Sequence, residues 1–250
     1  MLSELGLSNP WLIGTTINTV LLAIALIAPK KLLTLGGLAN AWLLGVIIWG
    51  TLGLPGYLVV MFYFLVGSVV TKVGIAQKEA EGIAEKRSGA RGPENVWGSA
   101  LIGALCALAI VWLPDYQPLL LLGYVASLST KLSDTTASEI GKAYGKTTFL
   151  ITTLKPVPRG TEGAVSLEGT LAGILGSVAI ALVAWGVGLI NLTEIIYCVI
   201  AAFIATTIES LIGATLQSRL TWLSNELVNV INTFLGAAIA IGLGLSFLNV

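Results

Sequence analysis

The spacing of its apolar runs limits this chain more than any other feature. Eight stretches, roughly residues 11–28, 32–54, 55–73, 96–113, 118–142, 167–190, 194–216 and 226–248, are each long enough to cross a bilayer. A crossing takes about 20 residues of α-helix, because ~30 Å of hydrocarbon must be spanned at 1.5 Å per residue. None of the runs alternates with a period of two, so a β-barrel is not indicated. The expected fold is all-α: a polytopic transmembrane helix bundle of about eight spans, forming a single integral membrane domain over residues 1–250. The first run has no Lys or Arg ahead of it and is expected to be a retained helix rather than a cleaved signal.

Composition agrees with a membrane protein. Apolar residues make up 56% of the chain and charged ones 10%, more apolar surface than a soluble domain of this size can bury. The net charge of zero argues against a nucleic-acid partner, and the absence of histidine removes imidazole bases and most zinc sites. Cys106 and Cys198 lie inside apolar runs and read as small core residues.

Orientation follows from the basic residues, which concentrate on the cytoplasmic side of membrane proteins. With eight spans all 13 lysines and arginines fall on one face, and the opposite turns, "LGLPGY", "LPDYQP" and "INLTE", carry none. That arrangement puts both termini on the non-cytoplasmic side and makes loops of about 72–95 and 141–166 cytoplasmic, or stromal in a plastid. Most of the acids gather on the same face, and topology alone does not require that, because Asp and Glu contribute little to orientation.

The fifth run is the unusual one. It is apolar to Leu128 and then reads "SDTTASEIGKAYGK" from Ser133 to Lys146. Ionisable groups in or beside a span are functional candidates, because hydrocarbon penalises them. On a helix Lys131, Asp134, Ser138 and Lys142 recur at three- and four-residue steps and share a face. A carboxylate and a hydroxyl one turn apart suit a cation, and the glycines of "GKAYGK" allow phosphate to approach the backbone. Glu139 points off that face. The competing reading is an ordinary solvated helix end.

Other polar stretches repeat the theme. In "KPVPRGTEGAVSLEG", Gly160 and Gly163 free the backbone around Thr161, with Lys155 and Arg159 flanking, ahead of a helix start that could receive an anion. An interfacial turn followed by a Ser166 cap is the alternative. Glu209 lies about two turns inside the seventh run and needs a metal or a basic neighbour. Asn225, Asn229 and Asn232 form one stripe of the eighth, as interhelical glue or part of a shared site. The loop after span three opens as a solvated amphipathic segment, and Arg91 and Asn95 emerge from it at the membrane surface. Gly169, Gly173 and Gly176 are expected to allow close helix packing.

These pieces, "GIAEKRSGARGPENVWGSAL", "SDTTASEIGK", "LITTLKPVPRGTEGAVSLEG", "ESLIGATLQ" and "NELVNVINT", resemble in this order the membrane family that contains the phytyl-phosphate kinase of tocopherol and phylloquinone biosynthesis. The resemblance covers roughly residues 60–235. More distantly, the Asp134–Lys146 stretch is similar to the motif of CTP-dependent phytol and dolichol kinases. The chain departs from the family at Gly163-Ala164, where Gly-Gly is common, and at Glu162, where a neutral residue can stand.

The resemblance implies transfer of a phosphoryl group from a nucleoside triphosphate, CTP first, to an isoprenoid monophosphate. Mg2+ would assist, in a bacterial plasma or thylakoid membrane or a plastid envelope. On that basis Asp134, Ser138 and Lys142 are the expected catalytic residues and Asp134, Glu139 and Glu209 the metal carboxylates. Lys72, Arg91, Asn95, Lys146, Lys155, Arg159, Gly160, Thr161 and Gly163 are the expected nucleotide and phosphate contacts. Phosphoryl transfer needs positioning and charge stabilisation more than covalent help, so a protein without histidine can perform it. The alternatives are a kinase of the free alcohol, a cytidylyltransferase, a transporter and a non-catalytic scaffold.

Overall fold

The computed structural model describes residues 9–28, 32–217 and 219–247, and every expected span within them is helical. The helices are α1 (Pro10–Ile27), α2 (Leu35–Thr71), α3 (Ile75–Ala80), α4 (Pro93–Trp112), α5 (Gln117–Tyr144), α6 (Leu167–Gly186), α7 (Leu192–Ile212) and α8 (Asn225–Phe247). A π-turn, Gly213–Gln217, prolongs α7. Two-residue strands, β1 (Phe149–Leu150) and β2 (Ala164–Val165), pair antiparallel within the second long loop, Phe149 opposite Val165. Lys30 and Lys31 lie outside the described residues.

The second and third expected spans are joined in α2, whose 37 residues would reach about 55 Å if straight. It is not straight. Gly53 is non-helical at φ 62°, ψ −155°, and Pro55 follows two residues later, so the ladder is interrupted there. Both limbs return to one residue. The Thr34 amide donates to the Arg91 carbonyl at 3.0 Å, while the Tyr63 hydroxyl, on the other limb, accepts from Arg91 Nη1 at 2.9 Å. The element is therefore a helical hairpin bent at Gly53, whose two limbs correspond to the second and third expected spans.

At the bend end lie the start of α1 and the end of α8: Trp11 lies against Gly50, and Gly244 against Leu119 and Leu122. The opposite end carries the long loops and the lysines and arginines they contain. Among the described residues, six helices are long and apolar enough to cross a membrane by length and composition alone. The exception that matters is α5.

From Leu122 to Ser133 every residue of α5 is buried, because α4, α6, α7, α8 and the α2 hairpin surround it. A helix sealed on all sides keeps its polar side chains away from lipid, which is how "SLSTKLSD" is tolerated at this depth. The α6 glycines act as expected. A Cβ at Gly169 would lie 2.6 Å from the Ala137 carbonyl oxygen, and one at Gly176 would lie 2.6 Å from Thr136 Oγ1, so α6 sits directly on the α5 backbone.

The first long loop differs from the solvated segment expected. Its α3 is only six residues long, and Lys78 within it is completely buried. Burial is possible because the lysine is neutralised by Glu139 of α5 and donates to the Thr71 carbonyl at 2.8 Å.

Candidate active site

At the loop end of the bundle α4, α5, α7 and α8 enclose a cavity of ≈ 710 Å³, roofed by the two long loops. Its floor is built by helix spacing. Lys131 and Asp134 are one turn apart on α5, and the lysine donates to Asp134 Oδ2 at 2.5 Å and to Asn229 Oδ1 of α8 at 2.7 Å. Glu209 arrives from α7, with its carboxylate in hydrogen-bonding range of Asp134. Asn232, one turn beyond Asn229, donates to Glu209 Oε2 at 3.3 Å. Three helices thus converge on two adjacent carboxylates served by one lysine.

Two carboxylates in contact cannot both stay charged without compensation, and Lys131 balances only one of them. The surrounding cavity deepens the deficit, since seven carboxylates line it against four basic side chains. The donors on offer at the floor are carboxylate and amide oxygens, the hard ligands that magnesium takes. Among the described residues no group of three or more Asp, Glu, Cys or His side chains could hold a metal alone. An ion here would complete its shell with substrate phosphate and water, as magnesium commonly does.

The other sequence-derived residues divide into groups. Ser138, Lys142, Arg91, Asn95, Gly160, Thr161, Gly163, Asn225 and Glu139 line the cavity. Ser138 turns its hydroxyl to the Thr135 carbonyl at 3.2 Å, and Lys142 stands at the mouth, 3.7 Å from Glu85 and 3.6 Å from Glu139. Asn95 caps the start of α4, accepting from the Gly92 amide at 2.9 Å and from Arg87 at 3.0 Å. Asn225 accepts from Gln217 at the end of α7. Glu139 does point off the Asp134 face, toward the buried Lys78, and its role as a metal carboxylate competes with that ion pair.

Several expected phosphate contacts lie away from the cavity. Lys72, Lys146 and Lys155 are exposed outside its walls. Arg159 is bound to Glu81 at 2.6 Å and to the Ala143 carbonyl at 3.3 Å, which pins one long loop to the other. Lys131 has no assigned part in the sequence-derived site, although its three-residue step from Asp134 on one helix face implies the contact. Tyr63, which positions the Arg91 guanidinium and lines the cavity, is not legible in the sequence, because an aromatic in an apolar run carries no distinguishing signal.

Residues 18–237 match the family described as integral membrane protein DUF92. The chain is 66% identical over 247 residues to the membrane protein sll0875 of Synechocystis, covering 97% of this chain and 96% of that one. It is 50% identical over 214 residues to Protein VTE6, chloroplastic, of Arabidopsis thaliana, covering 84% of this chain and 64% of that protein. It is 33% identical over 206 residues to the membrane protein MJ0933 of Methanocaldococcus jannaschii, covering 82% and 83%. No solved structure matches. The matched region contains the hairpin α2, the sealed α5 and every residue of the carboxylate floor, so the chain is a member of the integral membrane protein DUF92 family.

Proposed function

We propose that the protein is an isoprenoid-phosphate kinase, transferring the terminal phosphoryl group of a nucleoside triphosphate, CTP first, to phytyl phosphate or a similar prenyl monophosphate. The observation that carries the reading is the Asp134–Glu209 carboxylate pair with Lys131, at the floor of an acid-lined cavity inside a membrane bundle. The motif resemblance to the phytyl-phosphate kinase family and the 50% identity to Arabidopsis VTE6 support the same reaction class.

Phosphate groups entering a cavity with more carboxylates than basic groups would be repelled unless a cation came with them. Mg2+ bound with the nucleotide would neutralise the phosphates and the charge that develops on them during transfer. Asp134 and Glu209 would hold it, and Lys131 and Asn232 would fix their orientation. Arg91, locked by Tyr63, and Lys142 would hold substrate phosphates. An acceptor that is already anionic needs no general base. The loop end would face the cytoplasm or stroma, in keeping with its lysines and arginines.

A kinase of the free alcohol is the second reading. It is favoured by the exposure of Lys72, Lys146 and Lys155, which leaves fewer cations for a second anionic substrate than the loops contain. One experiment separates the two. Purified protein is incubated with magnesium and CTP, ATP, GTP or UTP, phytol and phytyl phosphate are offered separately, and the lipid product is weighed by mass spectrometry. Phytyl diphosphate is the expected product. Conversion of phytol with phytyl phosphate left untouched would replace the acceptor, and no transfer to either would remove the kinase reading.

A further inference from the structure

Beside the polar cavity, a second one of ≈ 250 Å³ lies between α6 and α7. Ile174 of α6 and Phe203 and Thr207 of α7 form its sides, and Ser133 and Ala137 of α5 form its floor. Ala137, Val165, Thr170, Thr206 and Ser210 line both cavities, so the two share a wall. At its other end Phe203 is 46% exposed on the outer face of the bundle, the surface that lipid covers.

The slot is richer in hydroxyl residues than in hydroxyl groups free to bond. Thr207 donates to the Phe203 carbonyl at 2.7 Å, Thr206 to Ala202 at 2.8 Å and Ser210 to Thr206 at 3.0 Å. Hydroxyls bonded back to their own helix leave methyls and methylenes as the wall. The result is an apolar slot between the outer face of the bundle and the polar cavity. Its inner end, at Thr206 and Ser210, flanks Glu209 in sequence. Small-molecule sites commonly run to ~300–1,000 Å³, so a volume of ≈ 250 Å³ suits part of a chain rather than a nucleotide.

We propose that this α6–α7 slot holds the first isoprene units of the acceptor, its remaining chain lying in the bilayer and its phosphate reaching the Asp134–Glu209 floor. The inference rests on the kinase reading and adds to it where the lipid enters.

The test uses the full-length protein in micelles and a phytyl monophosphate with a diazirine within its first two isoprene units. After irradiation, adducts are expected on Ile174, Phe203 or Thr207, and excess phytyl phosphate should abolish them while added phosphatidylglycerol should not. Adducts at another seam of the bundle, or equal competition by the phospholipid, would overturn the slot and leave the kinase reading intact. Thr207→Trp should raise the KM for phytyl phosphate about tenfold or more, the scale at which apolar pockets discriminate. The same variant should leave the KM for CTP near its wild-type value, because the nucleotide binds in the polar cavity and not in the slot. Thr207→Val, which keeps the shape, should behave as wild type. An equal rise in the KM for phytyl phosphate and for CTP from Thr207→Trp counts against the slot. If wild-type protein transfers phosphate to no isoprenyl phosphate, the kinase reading and the slot fall together.

Discussion

Lys78 of α3 and Glu139 of α5 form an ion pair with the lysine side chain 0% and the glutamate side chain 2% exposed. The pair ties the first long loop to the central helix directly behind the face that carries Asp134. Removing one partner would leave the other charged and buried, at a cost of about 3–5 kcal/mol. Lys78→Met is therefore expected to lower the melting temperature sharply in detergent, and Lys78→Met with Glu139→Leu to recover most of the loss. If the double variant melts no higher than the single one, the pair is not what holds the loop.

Asp134→Asn is expected to bring phosphoryl transfer to background while the protein still inserts and purifies as a folded species. Glu209→Gln should do the same, since both carboxylates hold the nucleotide's cation in the proposed reaction. The measurement is lipid product by mass at saturating CTP and magnesium. Near-normal turnover in either variant would take that carboxylate out of the site.

Arg91 is held by Tyr63 at 2.9 Å and stacks over its ring at 5.3 Å, so its guanidinium is fixed before substrate arrives. Arg91→Ala should raise the KM of one anionic substrate much more than the other, which identifies the phosphate it binds. Tyr63→Phe should raise the same KM by less. Opposite substrate preferences in the two variants would mean that Tyr63 does not act through Arg91.

Topology can be tested with cysteines placed at the two ends. In a background where Cys106 and Cys198 are replaced by alanine, Thr153→Cys should resist an impermeant thiol reagent in intact cells and Asp115→Cys should react. Both positions are exposed, so reactivity will report sidedness rather than burial. The reverse pattern would turn the bundle over and move the site to the outer face.

Gly53 adopts a backbone conformation that L-residues rarely reach. Gly53→Ala should cost about 1–3 kcal/mol, read as a lower melting temperature, with substrate KM values little altered because the bend is at the far end from the cavity. No change in stability would mean that the hairpin tolerates another bend.

How much of this was legible beforehand depended on the kind of interaction. Span positions could be read because the bilayer fixes the length of each run, and the Gly53–Pro55 break was signalled by the residues that make it. The Asp134 face could be read because helical spacing decides which side chains are neighbours within one helix. Contacts between distant segments could not. Nothing local says that Lys78 is buried against Glu139, or that Arg159 is spent on Glu81 while Lys72, Lys146 and Lys155 stay in solvent. A lysine reads the same in sequence whether the chain around it folds inward or outward, and only tertiary packing decides which.

The sealing of α5 also bears on how the protein is made. This helix is not among those apolar enough to enter a bilayer on their own merit, and its lysine and aspartate would resist release into lipid. It must be accompanied: α4, joined to it by the short Leu113–Tyr116 turn, enters first, and α6, α7 and α8 enclose it only after the ribosome has synthesised them. During biogenesis the carboxylate floor therefore does not exist until the last helix is in place, because Asn229 and Asn232 belong to α8. A nascent chain stopped before α8 would be a membrane protein with no site, and its stranded fifth helix would be an early target for quality control.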